Sequence, residues 1–150
     1  MYRLIVIPHQ LLISAWHPVD HFFQRLVRDN PDELTIAGIQ GRLLDKSENL
    51  AIVLDEKDIA VGAFTYGFMN MDTGKIAMVV PVLAGDEAPI WLEDIIGEVH
   101  KIAIAEKCYE VRCLGCRRGW SRMVKRDVLK APPGKEGYTL KFTVGEYNVG

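Results

Sequence analysis

The sequence predicts an α/β domain built on a mixed, mostly antiparallel twisted sheet of about six strands with helices on both faces. Three observations predict it. Apolar segments of strand length, separated by polar turns, meander through residues 50–83. The strongest helical pattern of the chain follows at 90–107, and another strand-like run follows that at 108–114. A strand–helix–strand unit appended to a meander makes the sheet mixed.

Each element has its own signal. Residues 1–8 read as a first strand stopped by Pro8, with neither the apolar length nor the small-residue cleavage site of a signal peptide. Residues 17–27 read as a short helix with Pro18 in its first turn and Phe22, Leu26 and Val27 on one face. Asn30-Pro31 stops it. Asp32 or Thr35 begins a second helical stretch whose candidate buried positions are Leu34, Ile36, Ile39, Leu43 and Leu44. Residues 50–54 and 59–68 form a hairpin around Asp55-Glu56-Lys57-Asp58. The turn Asn70-Met71-Asp72-Thr73-Gly74 leads into a strand at 75–83 that carries Pro81. Proline donates nothing to a ladder, so Pro81 marks a bulge, a splay or an edge. After the loop 84–89, with Pro89 suited to a first helical position, the helix at 90–107 sets Leu92, Ile95, Ile96, Val99, Ile102 and Ala103 on one side. A strand at 108–114, a short helix at 119–126 and a strand at 138–144 complete the order.

The 150 residues suit one domain, and 49% apolar with 25% charged residues is a globular balance. A net charge of −2 does not make the chain a general magnet for nucleic acid. No apolar run reaches the roughly 18 residues of a membrane span, so the expected location is the cytoplasm. Cys108, Cys113 and Cys116 leave one thiol over in any disulfide scheme and read first as reduced structural residues. The Cys113-Leu114-Gly115-Cys116 spacing leaves a zinc site or a redox pair as alternatives. His17 and His21 stand four apart without a carboxylate at matching spacing, and no metal site is expected there.

The run Gly115, Cys116, Arg117, Arg118, Gly119, Trp120, Ser121, Arg122, followed by Gly137-Tyr138, resembles that of small GNAT-like (Gcn5-related N-acetyltransferase) proteins of tailed bacteriophages. The element order is also that of the GNAT fold. The resemblance covers most of the chain by topology and about 20 residues by motif, with Gly115, Arg118, Gly119, Trp120 and Arg122 carrying it. It implies two central strands that splay apart to hold acetyl-CoA, with the pyrophosphate on main-chain N–H groups at the start of the next helix. Carried onto this chain, Val80, Val82 and Gly85 become the candidate cofactor-binding residues. Tyr138 becomes a candidate acid for the leaving thiolate, because Trp120 takes the aromatic place where the family commonly has a tyrosine.

The loop departs from the family pattern. It has one glycine, Gly85, no arginine, and Pro89 has no N–H to give. Asp86, Glu87, Glu93, Asp94 and Glu98 place five acids between 86 and 98, which read as helix capping and oppose an anion there. Downstream, Arg117, Arg118, Arg122, Lys125, Arg126 and Lys130 oppose the single acid Asp127 between 117 and 130. That segment is either a solvated helix face or a contact for a protein or a phosphate-bearing partner such as nucleic acid. The expected function is a bacteriophage GNAT-fold protein without efficient acetyl transfer, with no cofactor required. It would act as a structural or protein-binding component in the host cytoplasm or the virion. An acetyl-CoA-dependent N-acetyltransferase with a degenerate loop is the alternative, and an inhibitor of a host protein is a further one.

Overall fold

In the computed structural model, residues 1–116, 129–130 and 138–143 are described. Strand β1 (Arg3–Ile7) leads through a 3-10 turn into α1 (Leu12–Trp16), a second 3-10 turn at His17–Val19, α2 (Asp20–Asp29) and α3 (Ile36–Leu44). Then come β2 (Asn49–Leu54), β3 (Ala60–Asn70), β4 (Ile76–Gly85), α4 (Ala88–Ala105), β5 (Glu110–Cys116), β6 (Leu129–Lys130) and β7 (Tyr138–Thr143). The sheet order is β1-β2-β3-β4-β5-β7-β6. Every pairing is antiparallel except β4 with β5, the pair that α4 connects. The seventh strand is the two-residue β6; the helix expected at 119–126 lies outside the described residues.

The chain's turns are set by local chemistry. Asp55 Oδ1 accepts the N–H groups of Lys57 and Ile59, which folds the β2–β3 connection. Thr35 takes the N-cap of α3 from extended backbone, and its Oγ1 accepts the Gly38 N–H at 2.9 Å. Trp16 stacks on Phe23 with ring centroids 4.8 Å apart and donates its indole N–H to Asp20 at 2.7 Å, joining α1 to α2.

Two cores flank the sheet. One packs α4, through Trp91, Leu92, Ile95, Val99 and Ala103, on Ala51, Val53, Phe64, Tyr66, Met78, Val80 and Val111. The other packs α1–α3, through Leu12, Phe22, Phe23, Ile39 and Leu43, on Ile7, Leu50, Ile52, Ala63, Val82 and Ala84. Of the positions expected inside, Leu44 is 64% exposed, while Phe23, not singled out above, is fully buried. Leu44 ends α3 and points away from the sheet that Ile39 and Leu43 cover. Among the described residues no helix is long and apolar enough to cross a membrane.

Candidate functional site

The site grows out of one irregularity in β4. Thr65 of β3 pairs with Val82, but Gly67 pairs with Val79, so Val80 and Pro81 together face the single residue Tyr66. Two residues opposite one is a β-bulge, and Pro81 fills the place where no ladder donor is required. The bulge also switches the faces of the strand. Before it, the even residues Met78 and Val80 enter the α4 core; after it, the even residues Val82 and Ala84 enter the α1–α3 core. A one-residue insertion flips every later side chain, which is why Val80 and Val82, two apart, lie on opposite faces.

At the same point β4 and β5 part. Their parallel ladder runs from Ala77↔Glu110 to Val80↔Cys113 and ends there. Beyond it, among the described residues, β4 continues to Gly85 paired only with β3, and β5 continues to Cys116, which meets Tyr138 of β7 after a register shift. Among the described residues the ladder therefore leaves a gap in pairing between residues 81–85 of β4 and 114–116 of β5, with the start of α4 beyond it. Of the candidate residues, Val80 stands at the last rung, Val82 and Gly85 on the parted stretch, and Tyr138 at the first position of β7 across from Cys116. Lys130 lies in β6, opposite Leu140 of β7. Arg117, Arg118, Arg122, Lys125 and Arg126 lie outside the described residues.

The loop joining β4 to α4 is tied down on three sides. The Asp86 N–H donates to the Val61 oxygen at 2.9 Å, and the Asp86 oxygen accepts the Trp91 indole N–H at 2.7 Å. Its carboxylate accepts from Arg25 of α2 at 2.7 Å. Trp91, 1% exposed, lies over two glycines: a Cβ on Gly62 would stand 2.6 Å from the ring, and one on Gly85 would stand 3.0 Å from it. Gly85 is also in a φ 154° conformation that side chains rarely adopt. Sequence reasoning missed Trp91; its spacing from Leu92 and Ile95 marked a buried face, but nothing local marked its glycine partners.

The acids at this loop differ from the expectation of helix capping. No acidic residue falls in the first turn of α4, and Glu87, the N-cap residue in left-handed backbone at φ 51°, makes no side-chain cap bond. Asp86 is engaged with Arg25 instead, and Glu93 and Asp94 follow a turn later. Pro89 has no N–H, and the Ile90 N–H already donates to the Glu87 oxygen at 2.8 Å. Of the main-chain N–H groups from 86 to 90, at most those of Glu87 and Ala88 are left for an anion. Among the described residues no group of three or more histidine, cysteine or acidic side chains is placed to hold a metal.

No protein-family model matches the sequence, and no curated protein matches it. Solved structures do. An aminoglycoside acetyltransferase from an uncultured soil metagenomic sample, in complex with sisomicin, superposes with a TM-score of 0.64 at 14% identity, covering 89% of this chain and 93% of its own. A GNAT-family acetyltransferase from Listeria monocytogenes gives 0.60 at 10% identity, covering 95% and 94%. AtaTR bound with AcCoA gives 0.60 at 9% identity, covering 96% and 94%. At these identities the likeness concerns architecture, and the architecture is the GNAT acetyltransferase fold.

Proposed function

We propose that the chain is an acetyl-CoA-dependent N-acetyltransferase with a degenerate donor loop. The observation that carries this reading is the parting of β4 from β5 after Val80↔Cys113, at the Val80-Pro81 bulge. Among the described residues the gap leaves one edge of 81–85 without a strand neighbour, and such an edge offers N–H and C=O groups to an amide-bearing ligand. Bound there, acetyl-CoA supplies an activated acyl carbon on a thioester sulfur. An acceptor amine forms the new N–C bond as the C–S bond breaks, and the sulfur leaves with a proton. Val80, Val82 and Gly85 would shape the donor cleft through their main chain. Tyr138, on the strand that flanks the gap, is the candidate proton source for the sulfur.

Isothermal titration with acetyl-CoA tests the reading. Binding tighter than about 100 μM, about −5.5 kcal/mol, supports it. Neither heat nor a shift in melting temperature at saturating acetyl-CoA would sink it.

The loop favours a second reading. Asp86 and Glu87 at the start of α4, with few donors between 86 and 90, suit a GNAT-fold protein that has no efficient acetyl transfer. Such a protein would bind a virion or host protein through the basic residues between 117 and 130, with nucleic acid the less suited partner of an acidic chain. A fixed copy number in purified particles, by mass spectrometry, would favour this second reading; complete absence would count against the virion role.

A further inference from the structure

The two halves of the candidate site make opposite demands on a donor. The parted stretch of β4 has main-chain groups without a β5 partner among the described residues, whereas the loop beyond it carries carboxylates at the start of α4, a place that main-chain N–H groups would otherwise make favourable to a diphosphate. Counting Arg25 as +1 against Asp86 and Glu87, the loop keeps a net charge of −1. Its main chain is largely committed as well: the Asp86 N–H goes to Val61, the Asp86 oxygen to Trp91, the Ile90 N–H to Glu87, and Pro89 has none, which leaves at most the N–H groups of Glu87 and Ala88. The Trp91 contact and the close approach of Gly62 to Gly85 hold this arrangement from below, so the loop has little room to turn more N–H groups outward.

From this we infer that the site selects its acyl donor by the pantetheine arm and gains little from the nucleotide, so that its donor class is acyl-pantetheine thioesters, with or without the nucleotide. The inference rests on the donor site proposed above and deepens it. The reacting atoms are unchanged, because in every such donor the bond that breaks joins the acyl carbon to the sulfur at the end of the pantetheine arm.

Titration of the full chain with coenzyme A, pantetheine and 3′,5′-ADP, under reducing conditions, tests this. The expected result is a coenzyme A affinity within about tenfold of that for pantetheine, and no heat from 3′,5′-ADP. Coenzyme A binding more than about tenfold tighter than pantetheine, or measurable binding of 3′,5′-ADP, overturns the inference while leaving the donor site standing. Silence from both coenzyme A and pantetheine overturns the inference and the acetyltransferase reading together. Asp86→Asn supplies an independent readout, since it removes one carboxylate and releases Arg25. It should raise the affinity for coenzyme A relative to pantetheine by about 3–10-fold. An unchanged ratio overturns the assignment of the loop's charge as the cause.

Discussion

The indole N–H of Trp91 donates to the main-chain oxygen of Asp86 at 2.7 Å, and this bond fastens the loop between β4 and α4 to the core. The ring that makes it fills the space above Gly62 and Gly85. Packing and loop position therefore depend on the same side chain. Trp91→Phe should cost about 1–2 kcal/mol by leaving the Asp86 oxygen without its donor. Gly62→Ala should cost about 1–3 kcal/mol, because its Cβ meets the outer ring of Trp91 and the Ala84 oxygen. Phenylalanine lacks that outer ring, so the double variant should be less destabilised than the sum by about 0.5–2 kcal/mol. Urea unfolding of the four proteins measures the coupling, and strict additivity would contradict the contact.

How much of this was legible in the sequence depends on the range of the interaction. Pro8, Asn30-Pro31, the aspartates of the 55–58 turn and Thr35 act on their own neighbours, and the elements they bound were readable from those residues. Pro81 was readable as an irregularity because proline excludes a ladder donor wherever it stands, but bulge, splay and edge were not separable. The structure makes it a bulge next to a splay, since the register with β3 and the end of the ladder with β5 are both long-range facts. Trp91 and Asp86 were misjudged for the same reason: their partners, Gly62 and Arg25, lie 29 and 61 residues away.

Thr65 offers a separate test of the core beside the bulge. It is fully buried on β3, and its hydroxyl has no hydrogen-bond partner among the described residues. A buried hydroxyl without a partner costs about 1–3 kcal/mol in lost hydration. Thr65→Val keeps the β-branched shape and removes the polar atom, so it should stabilise the protein by about 0.5–1.5 kcal/mol. At this chain length that corresponds to a rise of about 1–6 °C in melting temperature. A loss of stability would mean that the hydroxyl is satisfied in solution, most simply by a buried water.

The alkaline limit of stability follows from two groups near the end of α4. Burial, and secondarily the Glu106 carboxylate, raises the Cys108 thiol above its ordinary 9.0. The same causes in the same order raise Tyr66 above 10.0. In each case the unfolded group ionises first, so its contribution is complete below the unfolded value and is lost as pH rises through the folded one. Stability by urea unfolding should be level from about pH 7 to 8.5 and decline above about 9. In Cys108→Ala the decline should begin only above about 10, where Tyr66 takes over. An identical profile for the variant would remove Cys108 as the cause.

Pro81 ties the fold to the proposed chemistry. Its ring has no N–H, and it sits where β4 acquires an extra residue and loses β5 as a neighbour. Replacing it with alanine restores a donor on β4 and relaxes the fixed φ of about −65°, both of which let the strand draw closer to β5 beyond Val80. The bulge count against β3 would survive, since the rungs at Val79 and Val82 do not involve residue 81. Pro81→Ala should therefore leave the melting temperature within about 3 °C, equivalent to roughly 1 kcal/mol. It should also weaken acetyl-CoA binding by about 3–10-fold, or roughly 0.7–1.4 kcal/mol, by narrowing the gap. Because the two readouts move separately, a variant that loses stability and affinity together would point to damage in the core. Unchanged affinity in a stable variant would show that the parting of the strands is held by the rest of the sheet without help from the proline.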